Sequence, residues 1–495
     1  MKKRGKTTQN GQSSPQAEAL ARLKLLLSDE ENAQLEAEMA RPLFPAIRIN
    51  PLKARPEQLA DWAQRYGWEL KPIPYCSSGW WLAAARVSPS HTLEHLLGQV
   101  YIQDAASMLP AELFDLEGLA TPLILDMAAS PGGKTTHLVS RTADHGLVIA
   151  NDSSPDRIMA LRLVLQTWGA TSTAVTRYPG EKFGSWFPDT FDRVLLDAPC
   201  SMQNLRSTEA HPMRAISAKE QQNLAKRQAR LLASALQAVK IGGQVVYSTC
   251  TLAPEEDEAV IDALLKAFPR KFEVENLGKH LPLAAPALAS VGTHAFDPRV
   301  TQAARLWPHI YHTSGFFAAL LRKSAAMDRT PLEPPLRPMQ NRGLVQLSSP
   351  EMAALSDYLF GVYAFDLWKV LGELGLDLWK RESGMVYALP TLYFQHFEGF
   401  PFQALGLLAG EQTPQGFVPS HEWVSRFYRD FTGGRYTLSE EHVAGWLRGE
   451  DIQGSPGAES PSGSMVIVQD EQGRFLGRGK VQANRLKNLL PRRLA

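Results

Sequence analysis

The sequence predicts an α/β protein whose central domain contains a doubly wound, mostly parallel sheet. From residue 123 onward, short and continuously apolar segments alternate with amphipathic helical patterns. The four apolar segments cover residues 123–125, 147–150, 193–196 and 244–247. Strands without polar alternation are buried on both faces, as in parallel sheets that helices cover from both sides. Ligands of such sheets bind beyond the carboxyl ends of the strands, so we expect the functional residues there.

The composition limits the class of protein. A chain of 495 residues exceeds what one hydrophobic core serves, so about two to four domains are expected. Its 44% hydrophobic and 21% charged residues are ordinary for a soluble globular protein. The basic start runs into polar residues and no long uncharged apolar run follows, so we expect neither a secretory signal nor a membrane span. Only three cysteines occur, which suits a reducing compartment and predicts a cytoplasmic protein.

Smaller domains are predicted on both sides of this sheet. Helical spacing over residues 16–39, a strand at 47–51, a helix at 56–66 and the apolar stretch 80–82 predict a small N-terminal α/β module. The prolines within residues 329–338 predict a semi-rigid linker behind the central domain. The predicted units are the N-terminal module, the central domain, the linker, an intermediate α/β domain and a last domain, over residues 1–100, 101–325, 326–345, 346–400 and 401–495.

The most specific local motif follows the first apolar strand. Residues 126–135 read Asp-Met-Ala-Ala-Ser-Pro-Gly-Gly-Lys-Thr, whose small residues let backbone amides approach a ligand where a helix begins. A nucleotide P-loop is excluded because Ala128 stands where its first glycine is required, and no Gly-x-Gly-x-x-Gly dinucleotide motif occurs here. Asp152 ends the next strand, where a lone aspartate is more often a helix cap. Together with the glycine loop, it favours a contact to the ribose of a nucleoside cofactor.

Two of the three cysteines follow strands that we expect to be neighbours. Cys200 lies in Asp-Ala-Pro-Cys-Ser and Cys250 in Ser-Thr-Cys-Thr. A single free cysteine is usually a small buried apolar residue, but two at this edge of the sheet favour chemistry. A thiolate that adds to carbon 6 of a pyrimidine makes carbon 5 able to accept a methyl group. An acid near ring N3 and a base for the carbon-5 proton are also needed, and Asp197 and Lys134 are candidates for contacts to the base.

These motifs together resemble the Nop/Sun family of RNA cytosine-C5 methyltransferases. Further segments at residues 92–95, 101–107, 307–309 and 315–317 resemble the bacterial 16S ribosomal RNA methyltransferase F type within that family. Residues 476–491 resemble the PUA-like RNA-binding domain of the same group. The resemblance implies a Rossmann-like class I methyltransferase with an N-terminal RNA-recognition module and a C-terminal PUA-like, β-rich domain. It also implies that S-adenosyl-L-methionine is the cofactor and 5-methylcytosine in RNA the product.

The resemblance further implies roles for individual residues. Cys250 would be the nucleophile that attacks carbon 6, and Cys200 would help the product leave by elimination. Lys134 and Asp197 complete the implied catalytic set, with Asp197 between cofactor and target base. The implied cofactor-binding residues are Ala128, Ala129, Ser130, Pro131, Gly132, Gly133, Lys134, Asp152, Pro179 and Asp197.

Two departures from the family pattern affect these expectations. Pro179 stands where the family usually has a carboxylate that contacts the adenine, and Glu181 is a candidate substitute. Residues 201–205 read Ser-Met-Gln-Asn-Leu and replace the usual glycines and glutamate. The first departure concerns cofactor binding and the second concerns the pocket of the target base.

The expected partner is structured RNA, although a net charge of +1 does not by itself indicate nucleic-acid binding. Small-subunit ribosomal RNA or the 30S particle is the first candidate, and transfer RNA is the second. The target cytosine must leave any helical stack, which favours loops or remodelled RNA. A monomer is expected, and no membrane. The basic residues expected to bind phosphates without reading sequence are Arg474, Arg478, Lys480, Arg485, Lys487, Arg492 and Arg493.

Two rival functions stay open at this point. A DNA cytosine methyltransferase is disfavoured by the second cysteine and by the RNA-type appended regions. An RNA-binding ribosome-assembly factor with a catalytically silent domain is disfavoured by the two cysteines, Asp152 and the glycine loop, and favoured by the departures at Pro179 and Met202.

Histidines and aromatic residues outside these motifs are assigned ordinary roles. No metal is predicted, because the spacing of His95, His211, His309 and His312 is not typical of a zinc site. An aromatic cluster in the intermediate domain could stack on bases, but core packing is the favoured interpretation. Its members are Trp368, Trp379, Tyr387, Tyr393 and Phe394.

Overall fold

A computed structural model describes residues 15–206, 215–414, 416–454 and 462–491. Of the residues singled out above, His211, Arg492 and Arg493 lie outside these ranges. Within the described ranges, no helix combines the length and the apolar character that crossing a membrane requires.

The N-terminal module is a four-stranded antiparallel sheet with flanking helices. Its elements are α1 (Pro15–Lys24), α2 (Asp29–Met39), β1 (Ala46–Ile49), α3 (Gln58–Tyr66), β2 (Trp68–Ile73), β3 (Cys76–Ala85), α4 (Leu93–Leu96) and β4 (Val100–Ile102). The helical pattern predicted over residues 16–39 forms two helices, because a capping box of Ser28 and Glu31 starts a new helix at Asp29.

The central domain is built on a mixed sheet whose middle strands are parallel. Its strands are β5 (Leu123–Asp126), β6 (Leu147–Asn151), β7 (Thr173–Thr176), β8 (Phe191–Asp197), β9 (Val239–Thr249), β10 (Phe272–Glu275), β11 (Ser290–Val291), β12 (His294–Ala295), β13 (Ala304–Leu306) and β14 (Phe316–Lys323). Its helices are α5 (Leu109–Glu112), α6 (Gly133–Arg141), α7 (Pro155–Trp168), α8 (Phe183–Trp186), α9 (Ala218–Ala238), α10 (Glu258–Ala267) and α11 (Pro308–Tyr311). The four predicted apolar strands are β5, β6, β8 and β9, and the predicted Rossmann-like sheet is confirmed.

The order of the main sheet is β10-β14-β9-β8-β5-β6-β7, and β13 pairs with β14. Successive residues of β5 point into two different cores: Leu123 and Leu125 lie in one, and Ile124 lies in the other. The sheet is therefore covered on both faces, which explains why its strands carry no polar alternation.

The intermediate domain contains a second antiparallel sheet. Its elements are β15 (Val345–Gln346), α12 (Ser349–Tyr363), α13 (Leu367–Leu374), β16 (Leu376–Lys380), β17 (Met385–Pro390), α14 (Thr391–Phe397), β18 (Ala404–Leu405), β19 (Leu407–Thr413), β20 (Gly416–Pro419) and α15 (His421–Arg426). The sheet order is β15-β16-β17-β19-β20, so this domain continues past the predicted boundary at residue 400 because β19 pairs with β17. Strand β18 instead pairs with β7 and extends the central sheet.

The last domain is a small β-rich unit. Its elements are β21 (Arg435–Leu438), α16 (Glu440–Leu447), β22 (Ile452–Gln453), β23 (Met465–Asp470), β24 (Phe475–Gln482) and β25 (Arg485–Asn488). The strands are ordered β21-β23-β24-β25-β22 around a core that includes the fully buried Trp446.

Most of the predicted aromatic cluster packs against the core on one face of the central sheet. Trp379 and Phe394 stack with ring centroids 4.7 Å apart, and Tyr393 is fully buried. Tyr387 packs against the same core. Trp368 differs from the prediction because it is 54% exposed: its neighbour Leu367 faces the core, and Trp368 lies on another face of α13.

Candidate active site

The carboxyl ends of four parallel strands bring the predicted site residues to one edge of the sheet. Asp126 ends β5, Asp152 follows β6, Asp197 ends β8 and Cys250 follows β9. The two cysteine-bearing strands are hydrogen-bonded neighbours, with Asp197 opposite Ser248 in register. The predicted adjacency of the two cysteines is therefore seen in the sheet.

The two thiols are in direct contact. The Sγ atoms of Cys200 and Cys250 are 3.1 Å apart, and both residues are free and partly exposed. The hydrogen bond with Cys250 and the burial of the sulfur raise the pKa of the Cys200 thiol well above its usual value. The raised pKa favours the protonated form of Cys200, whose S–H can donate to the sulfur of Cys250.

A lysine and an aspartate form a fixed ion pair beside the thiols. Lys134 Nζ donates to Asp197 Oδ2 at 2.8 Å, and Ser248 Oγ donates to Asp197 Oδ1 at 2.8 Å. Burial alone would lower the pKa of Lys134, but the charges of Asp197 and Cys250 outweigh it and raise that pKa. A permanent cation and an oriented carboxylate thus lie next to Cys250.

Backbone conformation and close packing explain the two glycines of the loop. Gly132 has φ +114°, and a Cβ on Gly133 would lie 2.9 Å from the ring of Tyr101. The Ser130 amide donates to Asp152 Oδ2 at 3.2 Å, while the Ser154 amide donates to Asp152 Oδ1 at 2.9 Å. Asp152 therefore caps its own turn and also positions the glycine loop, and its contact to a ribose stays a prediction.

Asp126 is a site residue to which the sequence analysis gave no role. Its carboxyl group is buried and accepts from Thr135 Oγ1 at 2.7 Å, but its Oδ1 has no hydrogen-bond partner. Burial raises the pKa of Asp126 to about 7. An unpaired buried oxygen is costly unless a ligand completes it, and an ammonium group would do so. The amides of the glycine loop and the carboxylate of Asp152 add contacts that suit an amino-acid carboxylate and a ribose.

Two further residues hold the loops of the cofactor side, and sequence reasoning missed both. Asn151 donates to the carbonyls of Met127 and Tyr178 and so clamps the ends of three strands. Arg48 of β1 is fully buried, and its guanidinium donates to the Gly133 carbonyl at 3.1 Å. The N-terminal module is therefore hydrogen-bonded directly to the first residue of α6.

The departure at Pro179 leaves that position without a carboxylate. Glu181, the candidate substitute, accepts from Arg227 Nε at 3.3 Å and is thereby engaged by α9. Beside it, the ring of Tyr178 packs 5.1 Å from the ring of Phe400. The wall on this side of the site is thus shaped partly by the intermediate domain.

The second departure, over residues 201–205, has an unusual backbone. Met202 has φ +58° and Leu205 has φ +68°, a region that side chains disfavour. The loop is tied to its surroundings, since the Ser201 amide donates to Glu256 Oε2 at 2.9 Å and the Leu252 amide donates to the Gln203 carbonyl at 3.2 Å. The loops that follow the two cysteines are therefore linked to each other.

The histidines considered above do not converge. Within the described residues, the one group of potential metal ligands contains none of His95, His309 and His312. His312 Nδ1 instead lies 3.0 Å from a carboxylate oxygen of Glu38.

That one group consists of Cys76, Glu112 and His137. His137 Nε2 lies 3.0 Å from Glu112 Oε1, and burial lowers the pKa of His137 to about 4. The guanidinium groups of Arg48 and Arg141 both act on His137, and Arg141 lies 3.4 Å from Glu112. Two arginines beside the group disfavour a divalent cation, and its hydrogen bonds describe a buried polar cluster.

Models of three protein families match successive parts of the chain. The model described as 16S rRNA methyltransferase RsmB/F matches residues 115–322. The model of the N-terminal domain of 16S rRNA methyltransferase RsmF matches residues 17–105, and the RsmF PUA domain model matches residues 435–495. The last match agrees with the bounds of the small β-rich unit.

Relatives match over nearly the whole length. Ribosomal RNA small subunit methyltransferase F of Pectobacterium atrosepticum is 34% identical, covering 92% of this chain and 90% of its own. The protein of the same name from Klebsiella pneumoniae is 33% identical, covering 92% of this chain and 91% of its own.

Solved structures resemble the chain over its larger part. A methyltransferase homolog protein from Pyrococcus horikoshii aligns with a TM-score of 0.52 and 31% identity, covering 63% of this chain and 100% of that one. The structure of NSun6 from Pyrococcus horikoshii with SFG aligns with a TM-score of 0.51 and 21% identity, over 62% of this chain and 98% of that one. At that identity, the second likeness concerns the fold alone.

Proposed function

The chain belongs to the family of 16S rRNA methyltransferases RsmB/F, and we propose that it methylates carbon 5 of a cytosine in 16S rRNA through a covalent cysteine adduct. The observation that carries the mechanism is the pair of thiols 3.1 Å apart, next to the ion pair of Lys134 and Asp197. S-adenosyl-L-methionine would be held by the amides of the glycine loop, by Asp126 and by Asp152, and it would supply an electrophilic methyl group. Both cysteines are free thiols, which suits the cytoplasm, where we expect the reaction.

Cys250 forms the adduct in the first step. Its thiolate adds to carbon 6 of the cytosine, and the electron pair of the double bond moves to carbon 5, which takes the methyl group. Lys134 stabilises the negative charge of the thiolate, because the two groups attract each other across the site. Asp197 is held by Lys134 and Ser248, and its carboxylate can accept from the amino group of the cytosine and from N3 when that nitrogen takes up a proton from solvent as the sulfur adds.

Cys200 acts in the second step. Cys200 first releases its own proton to solvent. Its thiolate then takes the proton from carbon 5, the electrons of that C–H bond restore the double bond between carbons 5 and 6, and the bond between carbon 6 and sulfur breaks with its electrons returning to Cys250. The largest cause of the raised pKa of Cys200 is its hydrogen bond with Cys250. That hydrogen bond weakens once the sulfur of Cys250 is bonded to carbon, so Cys200 loses its proton more readily when a base is needed.

The described basic residues of the PUA domain differ in how well they suit contacts to phosphate. Arg474 and Arg485 form ion pairs with carboxylates of their own domain. Arg478 is only partly exposed and donates to a backbone carbonyl of the intermediate domain. Lys480 and Lys487 are exposed and are the better candidates for phosphate contacts.

The test is methyl transfer from labelled S-adenosyl-L-methionine to 30S particles, free 16S rRNA and transfer RNA. Cys250→Ala should abolish transfer, and Cys200→Ala should accumulate a protein–RNA adduct that resists denaturant. Cys76→Ala is the matched control, since this third cysteine is buried in the polar cluster away from the thiol pair. Full activity of Cys250→Ala would refute the mechanism, and preference for transfer RNA would refute the substrate. Cofactor binding without transfer to any RNA would favour a silent assembly factor.

A further inference from the structure

The first two helices cover the loops that follow the two cysteines. We call α1, α2 and the residues that join them the N-terminal hairpin (residues 15–39). Three of its buried residues share one apolar cluster with Leu205, which follows Cys200, and with Leu252, which follows Cys250. The hairpin residues in this cluster are Ala19, Leu23 and Leu35. One apolar surface therefore contacts both cysteine-bearing loops.

A buried ion pair joins the same two parts of the molecule. Glu38 of α2 is 6% exposed, and its Oε1 accepts from Arg206 Nη2 at 3.0 Å. Arg206 also donates to the backbone carbonyls of Glu38 at 2.9 Å and Arg41 at 2.7 Å. Removing one partner of a buried ion pair leaves the other charge uncompensated. Glu38 therefore stabilises the observed position of the Arg206 side chain.

A second polar contact reaches the loop after Cys250. Arg22 of α1 donates to Glu255 Oε1 at 2.8 Å and to Gln221 Oε1 at 3.3 Å. Arg22 and Glu255 are both about half exposed, so this pair contributes less than the buried one. The hairpin thus holds one loop through a buried pair and apolar contacts, and the other mainly through apolar contacts.

The loop after Cys200 needs support from outside itself. Met202 and Leu205 both adopt positive φ, and no glycine is present in residues 201–206 to relieve that strain. The residues also form no helix or strand of their own. Because local preference opposes the observed backbone, contacts from elsewhere must select it, and Leu205 and Arg206 make theirs to the hairpin.

We infer that the N-terminal hairpin holds the two cysteine-bearing loops in their reactive arrangement, and that Glu38, through Arg206, is a positioning residue for methyl transfer. No contact of Glu38 with either thiol is described, and it acts on the chemistry through Arg206 and the residues between Arg206 and Cys200. The activity readout rests on the proposed function. The rate at which the two thiols form a disulfide does not rest on it, because that rate can be measured without RNA.

The kinetic test uses Glu38→Gln, Arg206→Met and the double variant in the full chain. Each single variant should lower kcat by about tenfold or more, because a small displacement of reacting groups is costly. KM for S-adenosyl-L-methionine should not change, since the hairpin contacts above involve neither the glycine loop nor Asp152. The double variant should be no worse than either single one. Asp192→Asn is the matched control: this partly buried carboxylate pairs with Lys240 at the opposite end of β8 and should leave kcat unchanged.

The second test measures the thiol pair directly. Diamide oxidises neighbouring thiols to a disulfide, and the rate of Cys200–Cys250 bridging can be followed by mass spectrometry of digested protein. Glu38→Gln should slow bridging by about tenfold or more, and Asp192→Asn should not. If bridging and kcat of the Glu38 and Arg206 variants match those of the wild-type protein, the inference is wrong.

Further measurements distinguish a failure of this inference from misfolding and from a failure of the proposed function. If Glu38→Gln does not fold, Arg206→Lys keeps the charge and should give an intermediate loss of kcat in a protein that still unfolds cooperatively. If kcat falls only in proportion to a loss of folded protein, the pair has a merely structural role and the inference fails. If the wild-type protein methylates no RNA, the proposed function fails, while the bridging rates still decide whether the hairpin positions the thiols.

Discussion

The substitution Asp126→Asn should stabilise the protein at alkaline pH and weaken its binding of S-adenosyl-L-methionine. Asp126 is buried at the end of β5, and one of its carboxyl oxygens has no hydrogen-bond partner. Burial raises the pKa of this group to about 7, against the opposing hydrogen bond from Thr135. Between the unfolded value of 3.8 and the folded value, the folded protein holds a proton that the unfolded chain has lost. Stability is therefore lost as the pH rises through this window.

The size of the effect follows from the two pKa values. A difference of about 3 between them costs about 4 kcal/mol of unfolding free energy above the folded pKa, at about 1.4 kcal/mol for each pKa unit. Asparagine carries no charge at any pH and keeps an oxygen that can accept from Thr135. The advantage of Asp126→Asn over the wild-type protein should therefore grow by about 3 kcal/mol from about pH 5 to about pH 8.5, nearly all of it below about pH 7.

The assay is urea unfolding of both proteins at about pH 5, 7 and 8.5, with cofactor binding followed by calorimetry. Asp297→Asn is the control, because hydrogen bonds from the Arg299 side chain lower the pKa of Asp297 to about 2. That carboxylate stays ionised in the folded protein throughout this range, so its substitution should give an effect that does not vary with pH. The reasoning is refuted if the advantage of Asp126→Asn is constant or shrinks as the pH rises, or if cofactor affinity is unchanged.

Three other substitutions or reagents test separate parts of the structure. Burial raises the pKa of Cys76 to about 12, so iodoacetamide at about pH 8 should alkylate Cys250 well before Cys76; equal labelling in peptide mass spectra would contradict this. Met202→Gly should stabilise the protein by about 1 kcal/mol, because a side chain is disfavoured at φ +58°, and a lower urea midpoint would count against it. Arg48→Met should destabilise the protein by about 3 kcal/mol, because the carbonyl of Gly133 and three side chains lose a buried donor. An unchanged free energy of unfolding would show that the contacts of Arg48 are not needed for stability.

The central sheet could be predicted because strands that are buried on both faces contain short runs of apolar residues. Strands β5, β6, β8 and β9 each contain a short apolar run, and a residue with visible chemistry stands at or soon after the carboxyl end of each. The domain boundary at residue 400 was predicted wrongly because it depends on strand pairing, which leaves no pattern in the sequence. The pairing of β17 with β19 and of β18 with β7 joins segments that are distant in sequence or follow no common periodicity. Such pairings are set by tertiary contacts, which single-sequence patterns do not contain.

The buried polar contacts could likewise not be predicted from the sequence. Glu38 and Arg206 read as ordinary surface residues in the chain, because charged residues are mostly exposed. Their pairing needs α2 to lie against the loop after Cys200, and that packing is decided by scattered apolar residues such as Leu35 and Leu205. Arg48 is similar: its role at Gly133 exists only once the N-terminal sheet meets α6.

The assignment of the nucleophile shows what the structure adds to the motifs. From sequence alone the two cysteines are equivalent in chemistry, and their different roles come from the family resemblance. In the structure their surroundings differ: the ammonium of Lys134 interacts with Cys250, while the carboxylate of Glu256 acts on Cys200 and helps to raise its pKa. A negative charge is therefore more favourable on the sulfur of Cys250 than on that of Cys200. This electrostatic difference supports Cys250 as the attacking thiolate independently of the resemblance.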